Sequence, residues 1–148
     1  MPKGSGRGIA CFNGYGSRIA HVVEVTVTGN KIRVDRAVVA VDVGIAINPR
    51  GVEAQVQGAF IDGVSTALMA AITIDKGGVV QGNWDGYEWA RMPDAPAKME
   101  VYVVDSGAGF QGMGEVGYPS GPPAIANAIF AATGKRVRKF PIKVEDLV

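Results

Sequence analysis

Gly112-Met113-Gly114-Glu115-Val116-Gly117 sets one carboxylate among three glycines, and Tyr118-Pro119-Ser120-Gly121 then lead into an apolar segment. Glycine adopts backbone angles closed to other residues and leaves no Cβ in the way. Such a stretch lets backbone approach something bulky and flat while one side chain projects at it, and an acid so placed can serve as a base. The bland alternative is a surface loop residue helped by the dipole of the following helix. The same six residues fit G-x-G-x-x-G, the dinucleotide fingerprint, but lack its context. That fingerprint needs a strand ending just before its first glycine and a helix opening at the loop. Here the strand ends near Val104 and the helix waits until about Pro122.

The other reactive residue types are scarce. Cys11 is the only cysteine, which excludes an internal disulfide, a cysteine zinc site and an iron–sulfur cluster held by this chain alone. Any redox centre must come from elsewhere, and no residue is assigned as a metal ligand. His21, the only histidine, falls on the apolar side of strand-like sequence, and reads as a core or interface histidine with a hydrogen-bond partner rather than a ligand or a base for Cys11. Gly4-Ser5-Gly6-Arg7-Gly8 lacks the Gly-Lys-Ser/Thr ending of a phosphate-binding loop and reads as a flexible lead-in, within a glycine-rich lead-in over residues 1–16.

The elements that position these residues follow from periodicity. From Arg18 to Val27 apolar residues alternate with Glu24 and Thr26, the pattern of a half-buried strand. Thr28-Gly29-Asn30-Lys31 turns the chain, and Lys31 to Val43 resumes as a strand whose middle, Ala37 to Val41, is apolar throughout and should be covered on both faces. Asn48-Pro49 caps and starts a helix. Its stripe Val52, Val56, Phe60, Val64 and Leu68 runs to about Ala71, with Gln55 and Asp62 on another face. A hairpin is predicted over Ile72 to Gln81, an ordered aperiodic loop over Asn83 to Pro96 and a strand over Met99 to Val104. A second helix follows from about Pro122 to Thr133, stopped by Gly134. Lys135 to Lys143 is expected as an extended edge segment. The fold class is α+β: twisted antiparallel strands with two packed helices, in a single domain over residues 1–148.

The totals narrow the function. Lys plus Arg number 15 against 14 Asp plus Glu, so no broad positive field exists to attract nucleic acid. Hydrophobic residues make up 47% but are broken by 21 glycines and 8 prolines, and none of the runs approaches the ~20 apolar residues of a membrane span. The start shows no export signal; cytoplasmic location is the first expectation and export in company with another chain the second.

Gly-Met-Gly-Glu-Val-Gly-Tyr-Pro followed by Pro-Ala-Ile-Ala-Asn-Ala-Ile-Phe-Ala-Ala-Thr-Gly-Lys-Arg resembles the C-terminal signature of the molybdenum hydroxylases, the xanthine oxidase and aldehyde oxidase family, in the isoquinoline 1-oxidoreductase beta-subunit branch. Three further blocks agree in order: Gly8-Ile9-Ala10 with Gly16-Ser17, Val41-Asp42-Val43-Gly44 through Ile47-Asn48-Pro49, and Gln55-Val56-Gln57-Gly58-Ala59-Phe60. The resemblance implies the C-terminal portion of a molybdopterin-binding domain, working with a partner chain that carries the rest of the molybdenum-binding subunit and with a small iron–sulfur subunit bearing [2Fe–2S] clusters. It implies molybdenum with a pterin dinucleotide, usually molybdopterin cytosine dinucleotide in bacteria, and hydroxylation of an N-heteroaromatic or aldehyde substrate with water as oxygen source. Glu115 takes the position of the catalytic base. Gln55, Gly112, Met113 and Gly114 take positions at the cofactor, although on composition alone Gln55 also suits a link between two elements. An alternative of another class, a non-catalytic assembly module that keeps the fold, stays open, as does a homo-oligomer.

Overall fold

A computed structural model describes residues 1–147. The chain runs through β1 (Ser5–Gly14), β2 (Ser17–Thr28), β3 (Lys31–Asp42), α1 (Pro49–Leu68), a small hairpin of β4 (Ile74–Asp75) and β5 (Gly78–Val79), β6 (Lys98–Val104) and α2 (Gly121–Thr133). The class is α+β, as the periodicity indicates. Strands β1, β2 and β3 are antiparallel neighbours, and β6 then joins the far side of β3 in parallel, giving the order β1-β2-β3-β6. The sheet is therefore mixed. Local periodicity marks β6 as a strand but carries no information on its direction, which follows from the long crossover through α1.

Alternation decides which face is buried. Ile19, His21, Val23 and Val25 of β2 and Ala37, Val39 and Val41 of β3 lie beneath the helices. A bulge at Glu24/Val25 gives β3 one extra residue and keeps Val34 on the same face. The other face, expected to be covered at Ala37 to Val41, leaves Val38 half-buried and Ala40 exposed. Only one face of β3 carries a packed layer among the described residues. Across the open face runs a row of ion pairs, Arg7–Glu24 at 2.6 Å and Glu100 with Arg36 and Lys98 at 2.6 and 3.1 Å. The hydrogen bond from Arg36, then that from Lys98, holds the Glu100 carboxyl below its usual range.

The glycine-rich start is a strand and no flexible lead-in: Ser5–Gly14 pairs along its whole length with β2. Its glycines are there for packing. A Cβ on Gly8 would collide with Ala124 O and Ala128 N, and one on Gly6 would stand 2.9 Å from Ala132 Cβ, so bare backbone lets α2 lie directly on β1. Because the opposing atoms are helix backbone, they cannot rotate aside. Gly8→Val is expected to destabilise the chain by about 2–3 kcal/mol, read as a lower urea midpoint at unchanged slope.

Asn48 opens α1 and Gly134 closes α2 where the sequence indicates, but α1 stops at Leu68, short of the Ala71 expected from the stripe. The Asn48 side chain accepts from Gly51 N at 3.2 Å, and Val52, Val56, Phe60 and Val64 are buried. Gly134 closes α2 at φ 73°. The tail beyond it does not extend the sheet. Arg136 stacks 3.7 Å over the Phe130 ring and donates to Asn127 Oδ1 at 2.8 Å, while buried Ile142 donates its N–H to Ala67 O at 2.7 Å. Lys135 to Lys143 thus finds its partners on the helix ends, which removes the need for a strand neighbour. Among the described residues no helix is long and apolar enough to cross a membrane.

Candidate functional site

Three elements grip the glycine loop that precedes α2. From the sheet end, Gln111 N–H donates to Val43 O at 3.1 Å and Gly112 N–H to Tyr15 O at 3.0 Å. Ser17 Oγ donates to Gly112 O at 2.6 Å. Asp42 anchors the approach to this loop by accepting from Gly44 N–H at 3.0 Å and Ser106 Oγ at 2.8 Å, and those bonds, the Gly44 one foremost, keep its carboxyl below the usual range. From α1, Gln55 Nε2 donates to Gly114 O at 2.7 Å. Val116 is buried in the same core cluster as Val52 and Val56, and a Cβ on Gly117 would lie 2.9 Å from Ala59 Cβ.

Glu115 is left as the side chain that projects. It is exposed, and Tyr15 Oη donates to its Oε2 at 3.2 Å. Among the described residues nothing donates to Oε1. Glu115 lines a concavity of about 440 Å³ with Tyr15, Ala59, Asp62, Gly114, Tyr118 and Pro119. The Tyr118 hydroxyl shares a 2.6 Å hydrogen bond with Thr66 Oγ1 of α1, so the far wall is tied down as well. α2 begins only at Gly121.

The residues assigned from the sequence meet at this loop with different roles. Gln55 links α1 to the loop, with its Oε1 still available. Gly112 is required by the hairpin tip, since a Cβ there would stand 2.8 Å from Tyr15 Cβ, whereas around Gly114 there is open space. Met113 packs on the apolar cluster of Val52, Val56 and Val116. Cys11 and His21 stand on opposite faces of the sheet, because Cys11 pairs with Ala20 and Ala10 with His21. Nothing in the sequence reading marks Tyr15, Tyr118 or Thr66 as site residues. Asn13-Gly14-Tyr15-Gly16 between two alternating stretches was the available signal of a tight hairpin tip.

His21 lies in the core beneath this site. It is fully buried, stacks on Phe60 with ring centroids 5.3 Å apart, and shares a 2.8 Å hydrogen bond between Nδ1 and Ser120 Oγ. Nε2 has no partner. Burial lowers its pKa from 6.5 to about 4. Between those values the unfolded chain binds the proton and the folded chain does not, so stability falls as pH drops from about 6.5 to 4. The loss is about 1.4 kcal/mol per pH unit and about 3 kcal/mol in total. Urea midpoints measured across this range should show the slope, and His21→Leu should lack that part of it.

Residues 3–96 match the molybdopterin cofactor-binding domain family, and the chain belongs to that family. It is 35% identical over 114 residues to the isoquinoline 1-oxidoreductase beta subunit of Brevundimonas diminuta, covering 77% of this chain and 14% of that protein. It is 36% identical over 138 residues to the molybdenum-binding subunit of an aldehyde oxidoreductase of Escherichia coli (strain K12), covering 86% of this chain and 19% of that protein. The crystal structure of the aldehyde oxidoreductase from Desulfovibrio desulfuricans ATCC 27774 superposes with a TM-score of 0.79 at 26% identity, over 88% of this chain and 15% of that one. The chain thus spans less than a fifth of the length of these relatives. The family match ends before the glycine loop, but a similarity over 86% of the chain takes in Gly112 to Ser120 wherever it begins. The resemblance drawn from the glycine loop and the α2 sequence to the molybdenum hydroxylases holds.

Proposed function

We propose that the chain supplies the catalytic base and part of the pterin site of a molybdenum hydroxylase that oxidises an N-heteroaromatic or aldehyde substrate with water as oxygen source. One observation carries the reading: a lone carboxylate, Glu115, stands on a clamped loop at the edge of a concavity, with one oxygen held by Tyr15 and the other open. The residues present fit the pterin part of the group. Gln55 offers a free carboxamide oxygen, and the backbone at Gly114 faces open space where a flat ring can come close. Among the described residues no group of three or more His, Cys, Asp or Glu could hold a metal ion, so a metal at this site would be carried by its own cofactor ligand.

When bound, the molybdenum group, taken as the cytosine dinucleotide form, supplies the two-electron acceptor and the activated oxygen. The chain's own part is narrower. Gln55 and the Gly112–Gly114 backbone orient the pterin edge, and Glu115 takes a proton at Oε1 while Tyr15 holds Oε2. A partner chain carrying the rest of the molybdenum-binding subunit closes the concavity and excludes water, and a small subunit with [2Fe–2S] clusters removes electrons. The test is to purify the chain with its co-purifying proteins from the native host and measure molybdenum and pterin. Stoichiometric cofactor with a larger molybdenum-site chain is expected. Recovery of a lone, cofactor-free chain would overturn the reading in favour of an assembly module.

A further inference from the structure

We infer that Tyr15 is the positioning residue of the Glu115 carboxylate, holding one oxygen so that the other stays open in a fixed direction. The inference rests on the reading of Glu115 as base and adds a residue that reading does not need. Tyr15 and Gly16 are the two residues between β1 and β2, with φ of 57° and 81°. Positive φ at both positions is the geometry of the two-residue turn whose twist suits a hairpin, and glycine, asparagine or aspartate normally fills its first place. A tyrosine there bears a steric backbone penalty, its Cβ standing too close to the following carbonyl oxygen. Burial of its ring does not repay it, because Tyr15 is 61% exposed. What the strained conformation achieves is aim: the hydroxyl crosses to Glu115 Oε2 at 3.2 Å.

The frame beneath that contact is rigid. Gly112 N–H donates to Tyr15 O at 3.0 Å, Ser17 Oγ donates to Gly112 O at 2.6 Å, and the missing Cβ of Gly112 lets the Tyr15 Cβ stand where it does. These contacts involve backbone, Cβ atoms and Ser17, and none needs the phenol oxygen. Tyr15→Phe therefore removes the hydrogen bond and keeps the frame. A carboxylate with one oxygen bonded has its other oxygen directed; released, it samples several rotamers, and misplacement of a base costs rate rather than binding.

The first measurement uses the 148-residue chain with carbon-13 in glutamate. Side-chain couplings of Glu115 should report one rotamer in the native chain and averaging in Tyr15→Phe, with the shifts of Gly112 and Ser17 unchanged. The second uses the assembled enzyme: Tyr15→Phe should lower kcat about tenfold, as expected for loss of one hydrogen bond to a charged group, with KM within about twofold. On a Glu115→Gln background Tyr15→Phe should cost nothing further, since its effect passes through that carboxylate. A Glu115 rotamer that stays fixed in Tyr15→Phe overturns the proposal whatever the kinetics show. So does an equal loss on both backgrounds. Full turnover in Glu115→Gln alone would instead overturn the base reading, and the rotamer measurement would still decide the Tyr15 contact by itself.

Discussion

Glu115→Gln is expected to lower turnover of the assembled enzyme by about 100-fold or more with molybdenum and pterin content unchanged, the result of removing the proposed base without moving its surroundings. Glutamine keeps the shape and still presents an oxygen to Tyr15 Oη, but its amide does not accept a proton near neutral pH. Little else depends on the carboxylate. Its side chain is exposed, and the turn at this point is closed through the backbone, by Tyr118 N–H donating to Glu115 O at 3.0 Å. Loop shape, the Gln55–Gly114 bond and the buried Val116 anchor should all persist, so unfolding free energy should change by less than about 0.5 kcal/mol. Steady-state turnover per bound molybdenum, beside a melting curve, checks both halves. Near-normal turnover at full cofactor loading would remove Glu115 from the reaction.

The helices were legible because their signals are local. Asn48 ahead of Pro49, the stripe Val52, Val56, Phe60 and Val64, and Gly134 after Thr133 each act within a turn or two of chain, and each does in the fold what its type suggests. What stayed hidden was set by distant contacts. Gly6 and Gly8 look like flexible chain until α2, more than a hundred residues later, is laid against them. The parallel pairing of β6 on β3 likewise depends on the path of the intervening chain. For the site the division is sharper. Resemblance pointed to Glu115 and Gln55, while chemistry alone gave only an acid among glycines. Tyr15 lies 100 residues from the carboxylate it meets, and nothing in the periodicity of either segment could bring the two together.

Phe60→Ala should cost about 3–5 kcal/mol, the largest stability loss expected of any single truncation here. Phe60 is fully buried where three elements meet. Its ring, on α1, stacks on His21 of β2 at an interplanar angle of 16°, and a Cβ on Gly121, the first residue of α2, would come within 3.3 Å of it. The helices already lie close beside the ring, since a Cβ on Gly63 would stand 3.1 Å from the Pro122 ring. The helices therefore cannot close in to fill the space the ring leaves, and the cavity term applies nearly in full. The loss also reaches the site. His21 loses the ring it stacks on, and its hydrogen-bond partner Ser120 is where the glycine loop hands over to α2. At this chain length each kcal/mol is worth roughly 3 °C, so the melting temperature should fall by roughly 10–15 °C. Amide exchange at Tyr118 and Gly121 should accelerate more than at the β4–β5 hairpin, which does not touch the ring. A variant that melts within a degree or two of the native chain would show that these elements are held together elsewhere, and that the loop carrying Glu115 owes its position to its bonds with Val43, the hairpin tip and Gln55 rather than to the Phe60 core.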